Sequence, residues 1–145
     1  MLGRNSRSIS RKSGVKSMKR KKILIVEDEA LIAMLLEDIL TESGYNVAGP
    51  VSNGMDAIRL AGEEDPDLIL MDIRIEGDLD GVETTIRIRE LYTIPVIFVT
   101  AHSDPDTYKR AMRTEPFGFL LKPFNANDLT STVESAIQRH QETQI

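Results

Sequence analysis

Cysteine is absent from the 145 residues, which excludes a disulfide framework, a thiolate metal site and a cysteine nucleophile. Tryptophan is absent too, aromatic residues reach only 5%, and the only histidines are His102 and His140. No Ser–His–Asp set is apparent with two histidines, and no glycine spacing fits a phosphate loop or a dinucleotide fingerprint. Long hydrophobic runs are lacking as well. Ile94–Ala101, among the longest, falls far short of the roughly 18 residues that cross a bilayer, and the sequence reads as cytoplasmic with no membrane span. The length fits one ordinary domain with a real core and excludes a multidomain enzyme.

Acidic residues are missing from the first 22 positions, which carry nine Lys/Arg, so the remainder holds nine basic against 23 acidic residues, a net charge of −14. The start of the chain mixes these cations with five serines and shows neither helical nor strand period, which predicts a disordered tail. We divide the chain into a basic tail over 1–20, a domain over 21–141 and a C-terminal end over 142–145. Met18, followed at once by Lys19-Arg20-Lys21-Lys22 and the first strand, is an alternative start. Clustered Lys/Arg favour phosphate polymers, so any nucleic-acid role belongs to the tail, although charge runs are usually only solvated. A transit peptide would need an amphipathic stripe that the tail lacks.

From Lys22 onward short apolar runs alternate with amphipathic stretches, the pattern of repeated βα units and a parallel sheet. Ile23–Val26, Asn46–Val51, Leu68–Met71, Val96–Thr100 and Phe117–Leu121 read as five strands, most of them buried on both faces because they alternate little. Five helices separate and follow them. Leu31–Leu40 places Leu31, Leu35 and Ile39 on one face and stops near Gly44. Asn53 caps Gly54–Ala61, with Gly62 behind it. Val82–Leu91 follows Asp80-Gly81 and turns Ile86 inward. Asp104 caps a fourth helix with Pro105 at its first position, and Asn125 caps Ala126–Gln141 with Asp128 close to a capping-box pattern. Gly118 suits an unusual backbone after the turn Thr114–Phe117. Met34, Met55 and Met71 read as core fillers, and His140 as a surface residue. The fold class is therefore α/β, a doubly wound five-stranded parallel sheet with five helices.

Ligands in such folds sit at the carboxyl ends of the strands near the switch point. Glu27 and Asp28 follow the first strand, Asp72 the third, Thr100 ends the fourth and Lys122 follows the fifth, so all five polar residues share one rim. Three carboxylates so close repel one another unless a cation sits among them, and a hard oxygen-liganded ion such as Mg²⁺ suits them, with a phosphoryl oxygen as co-ligand. An Asp carboxylate can attack a phosphoryl donor to give an aspartyl phosphate while a metal and a lysine neutralise charge. Asp72, on the central strand, is the natural nucleophile.

These residues resemble the receiver domains of two-component response regulators, over roughly Lys21 to His140. The resemblance is carried by Ile23–Glu29, Asp67–Asp72, Asp80-Gly81, Val99–Ala101 and Leu121–Phe124 in that order. It implies the flavodoxin-like receiver fold and phosphorylation of Asp72 by a histidine kinase or a histidine phosphotransfer protein. It implies Mg²⁺ on Asp28, Asp72 and the backbone carbonyl of Arg74, with Glu27 acting through a water. Lys122 pairs with Asp72 and then with its phosphoryl oxygens, while Thr100 hydrogen-bonds that group and swings inward. Phe119 occupies the aromatic switch position and turns from exposed to buried, repacking the face of the fourth helix, fifth strand and fifth helix. That face also suits a weak dimer of an otherwise monomeric protein. The Lys122-Pro123 peptide is expected to be cis.

The departures are informative. The stretch from Asp72 to Gly81 is about one residue longer than usual in that family, and Glu76 stands where proline is typical. Arg74 and His102, two residues beyond Asp72 and Thr100, occupy the positions that tune loss of the phosphoryl group. Neither is an acid able to align a water, which predicts a long-lived aspartyl phosphate. A haloacid-dehalogenase-like phosphatase would need an acid where Arg74 stands, and a pseudo-receiver that never takes phosphate would be expected to lose Asp72 or Lys122. We therefore expect a stand-alone receiver, not an enzyme in the usual sense, whose output is contact with a downstream target protein or onward transfer in a relay.

Overall fold

The computed structural model describes residues 19–102 and 104–143, so the readings made for positions 1–18 lie outside the described residues. Five strands, β1 (Lys22–Val26), β2 (Asn46–Val51), β3 (Leu68–Met71), β4 (Val96–Thr100) and β5 (Gly118–Leu121), form one parallel sheet in the order β2-β1-β3-β4-β5. They alternate with α1 (Ala30–Glu42), α2 (Gly54–Glu64), α3 (Gly81–Leu91), α4 (Pro105–Arg113) and α5 (Ala126–Thr143). The strand order reverses between β1 and β3, which opens the crevice at their carboxyl ends.

Two cores lie on opposite faces of the sheet because successive side chains of a strand point opposite ways. Leu24, Val26, Ile69, Met71, Val96 and Phe98 pack with Ala57 and Ala61 of α2, Val82 and Ile88 of α3 and Ala111 of α4. Ile23, Ile25, Leu68, Leu70, Ile97 and Val99 pack instead with Leu36 and Leu40 of α1 and Leu129, Val133 and Ala136 of α5. The doubly wound reading therefore holds, and both cores explain why β1, β3 and β4 read as unbroken apolar runs. The edge strands are the exceptions to a two-sided burial expected of most strands: β2 buries only Ala48, and β5 is only partly covered.

Local signals account for most helix ends. The Asn53 side chain accepts from Asp56 N–H, Asp104 from Thr107 N–H, and Asn125 from Asp128 N–H at 2.8 Å. Asp80 and Glu83 form a complete capping box on α3. Gly44 adopts φ +95° just past α1. Both Lys122-Pro123, as expected, and Gly49-Pro50 are cis.

Several expectations need correction. The inward face of α1 is Ala33, Leu36 and Leu40, whereas Leu31 is 80% exposed and Leu35 is half-exposed, because Leu31–Leu36 is apolar throughout and offers no stripe from which to choose. Met34 and Met55 lie on the surface and only Met71 is core. Ile86 faces outward, its inward place on α3 being taken by Thr84, Thr85 and Ile88. Gly62 lies inside α2, which runs on to Glu64 and ends at Asp65 in the left-handed region. The unusual backbone before β5 belongs to Glu115, at φ 55°, and not to Gly118, whose lack of a side chain instead admits Thr132 of α5. His140 is half-buried with its ring edge-on to Phe117.

Candidate functional site

Parallel register alone brings the first two acids together. Val26 pairs with Met71, so Glu27 and Asp72, each one residue further on, end neighbouring strands at the switch point. Their backbone N–H groups stay in the ladder, Asp72 N donating to Val26 O at 3.0 Å and Glu27 N to Val51 O at 2.9 Å. On the other side Thr100 pairs with Leu121, and Lys122 N donates to Thr100 O at 3.0 Å. The Lys122 side chain then reaches back beneath the rim. Its Nζ lies 2.7 Å from Glu27 Oε1, 2.9 Å from Asp72 Oδ2 and 3.1 Å from Glu29 Oε1.

Glu27, Glu29 and Asp72 bring carboxylate oxygens within 4.8 Å of one another. Asp28 is half-buried beside them, its carboxyl raised by burial and then by the charge of Asp72. Desolvation pushes Glu27 up to about 7, against the lowering effects of Lys122 and of the Glu29 N–H that donates to its Oε2. Burial alone would depress the Lys122 pKa, but its contacts with Glu27, Asp72 and Glu29 outweigh burial and leave it raised. One ammonium among these carboxylates leaves the cluster short of positive charge.

The residues fit a divalent cation. Glu27 Oε1 is buried and accepts no hydrogen bond, its contact with Lys122 being an ion pair without hydrogen-bond alignment. A buried carboxylate oxygen with no aligned donor is costly, and a hard cation is the partner that all-oxygen donors suit. A groove lined by Glu27, Asp28, Ala33, Met34, Val51 and Asp56 opens beside the cluster.

The loop after Asp72 is held from two sides. Arg74 N–H donates to Asp72 Oδ1 at 3.4 Å while the Arg74 side chain stands exposed. Gly81 N–H donates to Ile73 O at 2.6 Å, and a Cβ on Gly81 would overlap the Asp72 carbonyl oxygen. The Asp80-Gly81 pair therefore begins α3 and lets it abut the backbone of Asp72. Glu76, found where proline would be usual, donates its N–H to Ser52 O at 3.0 Å and accepts from Ser52 Oγ at 3.1 Å. Proline has no N–H for the first of these.

Thr100 is fully buried, and its Oγ1 accepts from His102 N–H at 3.3 Å. Phe119 is half-buried between Phe98, with ring centroids 6.2 Å apart, and Tyr108 of α4, edge-on at 5.0 Å. The rim residues singled out in the sequence thus stand around the end of the sheet as expected. Sequence reasoning missed Glu29, Tyr108 and Arg110. The third successive acid after β1 was a visible signal for Glu29, but nothing local points to its partner 93 residues away.

Comparison with known proteins agrees with this geometry. The family described as response regulator receiver domain matches residues 23–134. The chain is 36% identical over 122 residues to the transcriptional regulatory protein PdtaR of Mycobacterium tuberculosis, covering 84% of this chain and 59% of that protein. It is 34% identical over 116 residues to the phyllosphere-induced regulator PhyR of Methylorubrum extorquens, covering 79% and 43%. It thus spans about half the length of these curated relatives. Among solved structures, the signal receiver domain of a modulated diguanylate cyclase from Desulfovibrio desulfuricans superposes with a TM-score of 0.82 at 41% identity, covering 86% of this chain and 99% of that one. No helix among the described residues is long and apolar enough to cross a membrane. A sheet that ends in Glu27, Asp72, Thr100 and Lys122, with a family match over most of its length, places the chain in the response regulator receiver domain family.

Proposed function

We propose that the protein is a phosphorylation switch in which Asp72 accepts a phosphoryl group from a histidine kinase or a histidine phosphotransfer protein. The observation that carries this reading is the placement of Lys122 Nζ 2.9 Å from Asp72 Oδ2 at the strand-end crevice. A lysine in that position steadies Asp72 before reaction and neutralises phosphoryl oxygens afterwards. Glu27, Asp28, Asp72 and the Arg74 carbonyl would hold Mg²⁺, which when bound supplies positive charge to the phosphoryl oxygens.

The protein's own part is positioning. Thr100, at the end of β4, donates its hydroxyl to the new phosphoryl group, and its inward movement gives Phe119, here half-buried between Phe98 and Tyr108, room to turn further inward. The changed face of α4, β5 and α5 then meets a downstream target protein or a second copy. Receiver domains are signalling proteins rather than classical enzymes, and this one acts in the cytoplasm on a protein partner. Neither Arg74 nor His102 is an acid able to align a water, which makes the aspartyl phosphate long-lived.

The test is intact mass after incubation with Mg²⁺ and acetyl phosphate. Wild type gains one phosphoryl group and Asp72→Asn gains none. No gain by folded wild type, even with candidate kinases, would leave a phosphorylation-independent binding module as the better reading, while turnover of generic phosphate esters would point to a phosphatase.

A further inference from the structure

Glu29 is the charged group at the site that the phosphoacceptor scheme leaves unused. Its backbone caps α1, yet its side chain makes no cap hydrogen bond and crosses instead to Lys122 at 3.1 Å. The side chains of Lys122, Glu27 and Asp72 are 9%, 1% and 6% exposed, whereas that of Glu29 is 65% exposed. A lysine ammonium has three N–H donors and no more. Here Glu29 and Asp72 already accept from it, and Glu27 stands 2.7 Å away against the same ammonium.

An arriving phosphoryl group needs Lys122, so one carboxylate must yield. Asp72 is the attacking group, and Glu27 is buried with no aligned donor on Oε1 to replace Lys122, the Glu29 N–H serving its Oε2. Glu29 alone can exchange Lys122 for water at little cost, because it stands in solvent. Until then it also sets a negative charge at the opening through which an anionic donor must come.

We propose that Glu29 is a positioning residue that holds Lys122 within the acid cluster and makes acceptance of a phosphoryl group selective against more highly charged donors. This rests on the reading of Asp72 as phosphoacceptor. In the step itself an Asp72 carboxylate oxygen forms the bond to phosphorus and the bond from phosphorus to the leaving group breaks. Acetyl phosphate releases acetate, which keeps the electron pair. Phosphoramidate releases ammonia from its already protonated nitrogen. Neither needs a further reactant.

The experiment measures the rate of phosphoryl gain, by intact mass, for wild type and Glu29→Gln with each donor at low and high salt. Acetyl phosphate is a dianion at neutral pH and phosphoramidate a monoanion. Glu29→Gln should accept from acetyl phosphate roughly three- to tenfold faster than wild type, as expected from removing one unit charge a few ångströms from the donor. The gain should be smaller with phosphoramidate and should shrink as salt rises, which a purely structural role would not produce. Equal or slower acceptance by Glu29→Gln, or a gain independent of donor and salt, overturns the inference while leaving Asp72 as phosphoacceptor. Wild type that takes no phosphoryl group from either donor overturns both together. Thermal unfolding of Glu29→Gln confirms that the fold is unchanged.

Discussion

Arg110 on α4 is ion-paired to Asp80, its Nη1 3.0 Å from Oδ2, and Asp80 is the residue that caps α3 against the backbone of Asp72. The two ends of this link differ in energetic weight. The pair is partly exposed and worth about 0–1 kcal/mol, whereas the cap and its reciprocal Glu83 contact are worth about 0.5–2 kcal/mol. Asp80→Ala should therefore lower the urea midpoint more than Arg110→Ala, and a double-mutant cycle should give the smaller coupling. Equal losses would show that the cap contributes nothing.

Gly81→Ala tests how closely α3 must approach. The added methyl meets the backbone of Asp72 and Ile73, which cannot give way as a side-chain tip would. We expect a loss of about 1–3 kcal/mol from overpacking, together with slower phosphoryl gain at Asp72. Denaturation and intact-mass kinetics on the same sample check both.

On α1 the position within the turn decides the cost of truncation. Leu36→Ala should lose about 2–5 kcal/mol and Leu31→Ala less than about 0.5 kcal/mol, since Leu36 is 1% and Leu31 80% exposed. Urea denaturation of the pair decides it.

His140 gives a pH dependence whose sign follows from its environment. Burial against Phe117 holds it below the ordinary histidine value of 6.5, with smaller opposed effects from Asp67 and Lys21. The unfolded chain therefore takes up the proton more readily, so this contribution is complete above about pH 6.5 and is lost on acidification through the folded value. Compared with His140→Leu, wild type should lose stability more steeply between pH 7 and pH 5, as read by urea midpoints. Parallel curves would assign the slope to carboxylates.

Arg74 stands exposed two residues beyond Asp72, to whose carboxylate its N–H donates. Arg74→Asn, whose short amide can hydrogen-bond a water beside the phosphoryl group, should shorten the half-life of the aspartyl phosphate. An unchanged decay would remove Arg74 from the control of lifetime.

What could be read from the sequence follows from what is local. The runs Leu68–Met71 and Val96–Thr100 announce two-sided burial, and a polar residue that ends or directly follows such a run must lie at the rim, so Thr100 and Asp72 were legible. The face of α1 was not, because every residue from Leu31 to Leu36 is apolar and period carries no information there. Glu76 was visible as a departure, but its reason is the Ser52 carbonyl, contributed by another loop. Glu29 was visible as an acid, and its partner Lys122 emerges only when β5 is laid beside β4 and β1 beside β3.

The sheet also divides the molecule mechanically. Phe98 feeds the core under α2, α3 and α4, while its neighbours Ile97 and Val99 feed the core under α1 and α5. One side can therefore be rearranged while the other serves as a fixed anvil. In the proposed switch, a movement at Phe119 would spend itself among Phe98 and Tyr108 rather than loosening Leu36, so one surface would change without softening the α1 side of the frame that carries Asp72.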